Sequence, residues 1–341
     1  MPTSMVDVSV STVIPATRTI YNTLMGIVGD AGTGTATDDT VYTVYTPQQA
    51  GILFGSGTAL HNAATAAFEQ GIPEIKMINV SASTSEKYDA AYDALKTAGC
   101  DIIALAGYVI DSTDTIVTNH VAKAEEKEFM TVLYNDLDDV IASDLTTFAS
   151  STDSKYVVLV AGKGFDSSDD PAAAVCGLMS KLKPWQRLMW KTLNGITYTD
   201  LDEATIDTLE AGKVNAITTI RNSCVLTNGL TTSSNAVYMY SDVALTELYI
   251  KRIIRDTIEN TQVNGDIPFT DSGINFVRSL IARAMETVKA GGGIIDYSIS
   301  MPRLSEIPTE DKEARLLRNV YVTATLAGHI QTIQIEVTLS L

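Results

Sequence analysis

Three short glycine-containing segments carry the residue types from which phosphate-binding loops are built. The first, Gly29-Asp-Ala-Gly32-Thr-Gly34, lacks the G-x-G-x-x-G spacing and does not open directly into a helix. The second, Gly162-Lys163-Gly164, has Val157 where a P-loop has its first glycine, and Gly164 stands where Ser or Thr would bind magnesium. The third, Gly55-Ser-Gly57, precedes a predicted helix and could offer N–H groups to an anion, but it has no cationic residue beside it. These patterns favour ordinary loops.

The other reactive side chains do not combine into a catalytic or metal-binding pattern. Asp166, Asp169 and Asp170 form a carboxylate cluster that could hold a cation, but Asp170 followed by Pro171 is typical of a helix start. The histidines are dispersed, without an H-E-x-x-H motif: His61, His120 and His329. No serine lies in a G-x-S-x-G elbow. The sequence therefore predicts a protein that is not an enzyme and needs no metal or cofactor.

Composition narrows the class of protein further. The 341 residues carry 24 Lys+Arg against 41 Asp+Glu, a net charge of -17, which disfavours nucleic acid as a partner because phosphate binding needs a cationic face. Cys100, Cys176 and Cys224 form no C-x-x-C pair, so we expect neither a disulfide framework nor a zinc knuckle. The longest apolar run, 102–110, is far short of the roughly 20 residues that cross a bilayer. We expect no membrane binding, and the start of the chain lacks signal-peptide features, so we expect synthesis in the cytoplasm.

The first half of the chain alternates short apolar runs with helical segments. Strands are predicted at 24–28, 75–80, 102–105, 129–134 and 156–161. Helices are predicted at 59–70, 85–98, 114–127, 137–148 and 171–182. Strands that alternate with helices of this length form right-handed crossovers, so the fold class is α/β with a layered, mostly parallel sheet.

In the second half, strands and helices no longer alternate regularly, which predicts a second domain of α+β type. A short helix at 201–210 leads to strands at 214–220 and 223–227, and helices at 243–259 and 274–289 follow. The remainder, 294–300 and 320–341, is strand-like around a polar connector at 305–313. We divide the chain into an N-terminal arm, 1–20, a first domain, 21–165, and a second domain, 166–341, that ends in a strand arm.

Both ends of the sequence alternate apolar and polar residues, as strands with one buried face do. The apolar positions are Val6, Val8 and Val10 at the start, and Ile333, Ile335, Val337, Leu339 and Leu341 at the finish. A strand of this kind needs a partner, because an unpaired edge favours aggregation. The pattern leaves open whether that partner comes from the same chain or from a neighbouring subunit.

Charge is distributed unevenly along the sequence. Residues 1–170 carry 8 Lys+Arg and 23 Asp+Glu, a net -15, whereas residues 171–341 carry 16 and 18, a net -2. Within the balanced half, Lys251, Arg252 and Arg255 lie close together on one predicted helix. Lys251 and Arg255 share a face at i and i+4, where like charges repel unless an acidic partner faces them. These three cations form either a solvated face or a contact with an acidic partner.

Several segments, in order along the chain, resemble the sheath proteins of contractile phage-type tails. Phe54-Gly55-Ser-Gly57-Thr-Ala-Leu60 leads into a helix that ends at Phe68-Glu-Gln-Gly71, and an Ala-rich helix at 171–179 precedes a turn that contains Trp185. Leu248-Tyr-Ile-Lys251-Arg252-Ile-Ile-Arg255 is similar to the basic helix of that family.

The end of the chain carries the most telling part of this resemblance. Ala314-Arg315 and Leu317-Arg318 are followed by 320–325, by Leu326-Ala-Gly328-His329-Ile330 and by a terminal alternating strand, as in the shorter sheath-like families. The chain departs from larger members in having little room for an extra outer domain and in its polar connector at 305–313.

The resemblance implies a structural subunit whose copies stack as hexameric rings around a tail tube and rearrange together on contraction. It implies an outer acidic domain at 21–165, a tube-facing domain at 166–341 with Lys251, Arg252 and Arg255 toward the tube, and terminal strands exchanged between subunits. The implied partners are the protein itself, the tube, the baseplate and the tail terminator, in a virion or a phage-tail-like particle.

Two other classes stay open on the sequence. One is a cytosolic Rossmann-like α/β enzyme or ligand-binding protein that uses the crevice at the carboxyl ends of its parallel strands. The other is a paracrystalline surface subunit, which should carry an export signal. Ring stacks or tubes in negative stain would favour the sheath subunit, and monodisperse particles that bind a nucleotide would favour the enzyme.

Overall fold

The computed structural model describes residues 23–30 and 32–328. Its strands are β1 Leu24–Asp30, β2 Tyr42–Val44, β3 Ile75–Val80, β4 Cys100–Leu105, β5 Thr131–Asp136, β6 Val157–Gly162, β7 Val214–Ile220, β8 Ser223–Leu226, β9 Ile294–Ser300 and β10 Tyr321–Leu326. Its helices are α1 Pro47–Phe54, α2 Ala59–Glu69, α3 Ser85–Thr97, α4 Thr115–Lys127, α5 Ala142–Thr152, α6 Pro171–Lys181, α7 Glu203–Ala211, α8 Ser241–Asn264, α9 Asp271–Ala290 and α10 Thr309–Glu313.

Two four-stranded sheets, with the orders β2-β3-β1-β4 and β5-β6-β7-β8, lie side by side. Backbone bonds from Ile103 N to Met130 O (2.9 Å) and from Met130 N to Asp101 O (2.8 Å) join β4 to the start of β5. The inner strands pair in parallel, and β2 and β8 close the two edges in antiparallel pairs. The inner strands β4 and β6 are buried along their whole length, as expected of a parallel sheet covered on both faces.

Helices cover this sheet on both sides because the crossovers are right-handed and reverse direction after β3. Helix α6, buried almost throughout, packs with α2 against β1, β4 and β5. A side chain at Gly177 of α6 would meet the backbone of Ala67 at 2.8–2.9 Å, so glycine permits the close approach of these two helices. The pairs α3–α4 and α5–α7 pack as neighbours, and right-handed crossovers place them on the opposite face.

A second, smaller apolar cluster lies between α8, α9 and the two-stranded sheet of β9 and β10. Its buried members include Trp185, Tyr249, Met285 and Val288. The two strands pair antiparallel, and alternate residues of β10, such as Val322, pack on this cluster while the residues between them face outward.

The predicted α/β class with parallel-rich sheets is confirmed, and most predicted elements form within a few residues of their expected bounds. Helix α5, however, begins at Ala142 rather than 137, because residues 137–141 form a turn that Asp136 holds by accepting from Asp138 N. Helix α1 was not predicted, although Thr46 followed by Pro47 is a helix start.

The change from the first apolar cluster to the second does not occur at residue 165, where the sequence analysis places the domain boundary. Strand β7 pairs with β6 across that boundary, and α6 lies in the main cluster, so this cluster extends from Leu24 to Leu248, although Trp185 belongs to the second cluster. The change occurs along α8, where Leu248 belongs to the main cluster and Tyr249 to the second. None of the helices in the described ranges is long and apolar enough to cross a membrane.

Candidate functional site

Helix α8 connects the two apolar clusters. Ala244, Leu245 and Leu248 of this 24-residue helix are buried in the main cluster. Ile253 and Ile254, further along, pack on the second cluster. Apolar side chains on two sides leave a narrow polar strip, and Lys251, Arg252 and Arg255 belong to it.

The structure places these three predicted cations in different surroundings. Arg252 forms an ion pair with Asp101 of β4, and the two side chains are only 17% and 8% exposed. Lys251 lies 2.6 Å from Glu128 Oε1 and 2.9 Å from Glu247 Oε1. Arg255 is exposed. Two of the three cations are therefore engaged with acidic groups of their own chain.

The ion pairs around α8 form a connected network. Lys155 reaches Glu247 Oε2 at 2.8 Å, and Lys96 lies 3.7 Å from Asp101 Oδ1 while donating to Glu128 O at 2.9 Å. Burial opposes ionisation of Glu247, but hydrogen bonds from Lys155 and Lys251 outweigh it and hold its pKa below the ordinary value. Burial lowers the pKa of Lys96, which Asp101 partly offsets. The network fastens the middle of α8 to the ends of β4 and α4.

A cleft of about 610 Å³ opens beside this network. Its lining is mostly charged, with Lys127 and Glu128 on one wall and Arg255, Asp256 and Glu259 on the other. Mixed charge of this density suits a polar contact with another macromolecule better than an apolar small molecule, whose pockets are lined mainly by hydrophobic groups.

The β9–β10 sheet provides a second candidate surface. Among the described residues, no strand pairs with the outer edge of β9 or of β10. An apolar groove of about 430 Å³ runs beside β10, between Val322 and Leu326 on one wall and Ile250 and Ile254 of α8 on the other. An isolated two-stranded sheet is marginally stable, and open edges accept further strands. The predicted terminal strands, with Val6, Val8, Val10, Ile333, Ile335, Val337 and Leu339, lie outside the described residues.

The motifs considered for catalysis have structural roles. Asp136 accepts hydrogen bonds from Gly164 N at 3.2 Å and from Phe165 N at 2.9 Å. These two N–H groups are therefore already bound to a carboxylate of the same chain. Asp170 accepts from Ala173 N at 2.8 Å and caps α6, as the sequence predicts. His120 is fully buried, and burial lowers its pKa to about 3. Within the described part of the chain, no group of three or more His, Cys, Asp or Glu side chains is arranged to hold a metal ion.

The acidic partners of α8 were not identified from the sequence. Asp101 is 151 positions from Arg252, and Glu128 is 123 positions from Lys251. The sequence could have indicated a partner for Asp101, because a single carboxylate within an apolar strand needs a cationic partner when it is buried. The sequence gives no comparable signal for Glu128, which follows α4 in the left-handed conformation.

Solved structures of sheath and baseplate assemblies match this architecture. A chain in the cryo-EM structure of the anti-feeding prophage baseplate aligns with a TM-score of 0.75 and 12% identity, covering 100% of this chain and 99% of that one. This chain has the fold of contractile sheath proteins. The contracted sheath complex of an extracellular contractile injection system gives 0.72 and 13%, over 99% and 98% of the two chains. A sheath tail protein from Listeria innocua gives 0.61 and 9%, over 90% and 96%.

No family model and no curated protein matches the sequence. The sheath fold confirms, at the level of structure, the resemblance seen in the order of the sequence motifs. The alignments extend over nearly all of both chains.

Proposed function

We propose that this protein is a structural, non-enzymatic subunit of a contractile tail sheath. Copies polymerise helically around a tail tube and contract to drive the tube through a host envelope. The sheath fold over 99% of the chain is the main support, together with the order of sheath-like motifs in the sequence. A heterologous interface that does not close generates a helix, and small rearrangements in each subunit add along it.

The proposed partners follow from this role. The protein itself assembles in hexameric rings, and the tube, baseplate and tail terminator bind the resulting stack in a virion or a phage-tail-like particle. The α/β portion forms the acidic outer layer, and the portion with α8, α9 and the β9–β10 sheet faces the tube. No cofactor, nucleic acid or membrane enters the mechanism.

The tube contact is proposed to involve the basic strip of α8. Arg255 is exposed beside the charged cleft, so it is the best placed of the three cations for an acidic tube. Lys251, 40% exposed, can contribute while it keeps its pairs with Glu128 and Glu247. Arg252 instead holds α8 in position through Asp101.

Strand exchange is proposed as the flexible link between subunits. The outer edges of β9 and β10, which no strand of the described residues covers, accept the terminal strands of neighbouring copies, and main-chain hydrogen bonds give the link strength. The apolar residues of 6–10 and 333–339 enter the groove beside β10, which fixes their register because a slip of one residue would turn every apolar side chain outward. Subunits can then swing during contraction without losing their neighbours.

Deletion of residues 1–12 tests this function. We expect the purified full chain to form tubes or ring stacks in negative stain, and the truncated chain to remain a folded, soluble subunit by circular dichroism and sedimentation. Replacing Ile335 and Val337 with Asp should have the same effect. Truncated chains that still polymerise would overturn strand exchange, and a full chain that stays monodisperse and binds a nucleotide would overturn the sheath assignment.

A further inference from the structure

An exposed tryptophan stands at the centre of a basic segment that the proposed function does not use. Trp190 is 51% exposed, in a stretch from Lys181 to Thr199 that contains four cations and no acidic residue. The cations are Lys181, Lys183, Arg187 and Lys191. Arg187 lies with its guanidinium carbon 6.0 Å from the centre of the Trp190 ring.

The backbone holds this tryptophan outward at a cost. Trp190 has a φ of 59°, in the left-handed region, and its N–H donates to Leu226 O at 2.8 Å. A bulky residue in this conformation is strained, and such positions concentrate at functional sites. The conformation is therefore imposed by the fold, and it presents the indole on the side of the molecule beyond β8.

A cleft of complementary character lies on another face of the same chain. It has a volume of about 370 Å³ and opens at the carboxyl ends of β4 and β5, with Ile110, Val140, Leu145 and Phe148 among its lining. Val109, which also lines it, is 42% exposed, and the neighbouring Ile141 is 65% exposed.

The rim of this cleft is acidic. Asp111, Asp139 and Asp144 line it and are exposed. Hydrogen bonds from the side chain and backbone of Thr113, both 2.7 Å, hold the pKa of Asp111 below its ordinary value, so this group is a carboxylate at neutral pH. The cleft thus combines an apolar interior with a negative border.

We propose that Trp190 of one copy inserts into the cleft between Val109 and Phe148 of a second copy, with Arg187 and Lys191 against Asp139 and Asp144. This contact rests on the proposed self-assembly and names one of its interfaces. We choose a second copy as the partner because each chain carries both complementary features. One is an exposed aromatic ring with a basic border, and the other is an apolar cleft with an acidic border. Charge complementarity of this kind selects the partner and fixes the register of docking.

The positions of the two features determine what such a contact builds. Strands β6, β7 and β8 separate the cleft at β4 and β5 from the loop beyond β8, so one molecule cannot fill its own cleft. Each copy offers one ring and one cleft, and the interface is heterologous. Heterologous interfaces form rings or open helices, as a sheath requires. A tryptophan at the centre of an interface is typically a binding hot spot.

The replacement Trp190→Asn tests the contact in the full chain. Asparagine tolerates the left-handed backbone better than other non-glycine residues, so folding should be preserved. We expect the critical concentration for polymer formation, measured by sedimentation, to rise about tenfold or more, as for loss of a hot spot. Trp190→Phe should restore most of the assembly, and Ile52→Ala, at a position 66% exposed elsewhere, should leave it unchanged.

Charge reversal provides a second, independent measurement. The double variant Asp139→Lys with Asp144→Lys should polymerise poorly, and combining it with Arg187→Glu and Lys191→Glu should restore assembly. Glu86→Lys with Glu203→Lys is the matched control, because both are exposed acidic residues in the first turn of a helix outside the cleft. Cysteines at positions 112 and 192, introduced by Ser112→Cys and Thr192→Cys so that Trp190 stays in place, should cross-link into a ladder of oligomers under oxidation.

The outcomes separate this inference from the proposed function. If the wild-type chain polymerises and Trp190→Asn does so at the same concentration, or if no ladder forms within the polymer, this contact is wrong and the sheath function stands. If the wild-type chain forms no polymer, both are wrong. Loss of assembly in Trp190→Asn with rescue by the paired charge reversal supports the contact.

Discussion

Asp170 is a fully buried carboxyl group that the fold also uses as a helix cap. Its oxygen accepts from Ala173 N at the start of α6, a helix whose side chains are almost all buried. Burial raises the pKa of Asp170 to about 6, although hydrogen bonds from Ala173 and Ala172 favour the charged form. At neutral pH the charged form therefore lies buried in the core at a cost in stability.

The stability of the protein should accordingly depend on pH through this group. The folded-state pKa of about 6 lies above the ordinary value of 3.8, so the folded protein retains a proton that the unfolded chain releases. The contribution of Asp170 to the free energy of unfolding should fall as pH rises from 3.8 to 6, by up to about 3 kcal/mol, and stay level above that range.

Asp170→Asn isolates this effect, because asparagine caps helices as well as aspartate and carries no charge. Urea unfolding should show the variant more stable than the wild type at pH 7 and equal to it near pH 4. Asp166→Asn is the control, since Asp166 is exposed and hydrogen bonds donated by Ser168 lower its pKa. A stability difference for Asp170→Asn that is the same at both pH values would contradict the assignment.

The bounds of helices and strands could be predicted from the sequence where they depend on the local residue pattern. Features that depend on residues distant in the sequence could not. Strand β3 and strand β9 have their predicted bounds, because β-branched and apolar residues alternate or run together between clear breaks. The predicted start of α5 was too early because Asp136, at the end of the preceding strand, accepts a hydrogen bond from Asp138 N and stabilises a turn there. The charge environment of α8 depends on Asp101 and Glu128, whose approach no local pattern encodes.

Helix α8 yields a prediction about the tube. Arg255→Glu should prevent sheath from assembling on an acidic tube and leave tube-free polymer intact, because Arg255 is exposed and lies in no ion pair among those of the described residues. Each exposed contact contributes only about 0–1 kcal/mol, but one such contact per subunit repeats along the tail. High salt should weaken attachment likewise, since the Debye length is about 8 Å at physiological ionic strength.

Arg283→Glu is the matched control for this experiment, because Arg283 is also exposed on a long helix, α9. Co-sedimentation of each variant with tube measures attachment, and negative stain measures tube-free polymer. Unchanged attachment of Arg255→Glu would mean that another surface contacts the tube.

At the scale of the whole molecule, α8 contributes side chains to both apolar clusters. The helix contributes Leu245 and Leu248 to one cluster and Tyr249 to the other, and Arg252 pairs with Asp101 between them. The domain boundary at 165, where the order of helices and strands changes, stays a prediction, but the main apolar cluster continues beyond it. Strand pairing between β6 and β7 carries the first core past that point.

The Asp101–Arg252 pair should therefore control whether the two clusters unfold together. In the wild type, urea transitions followed by far-ultraviolet circular dichroism and by the fluorescence of Trp185, a buried member of the second cluster, should coincide. Asp101→Asn leaves Arg252 largely buried without its counter-charge, and breaking one partner of a buried pair costs about 3–5 kcal/mol. The fluorescence transition should then shift to a lower urea concentration by more than the dichroism transition, because the contact between α8 and β4 is lost first.

Two further variants serve as controls. Trp190→Phe in both backgrounds leaves Trp185 as the sole tryptophan. Lys251→Met, which breaks an ion pair whose lysine is 40% exposed, should change the midpoint of either transition little. Transitions that stay coincident in Asp101→Asn would show that apolar packing along α8 alone couples the two clusters.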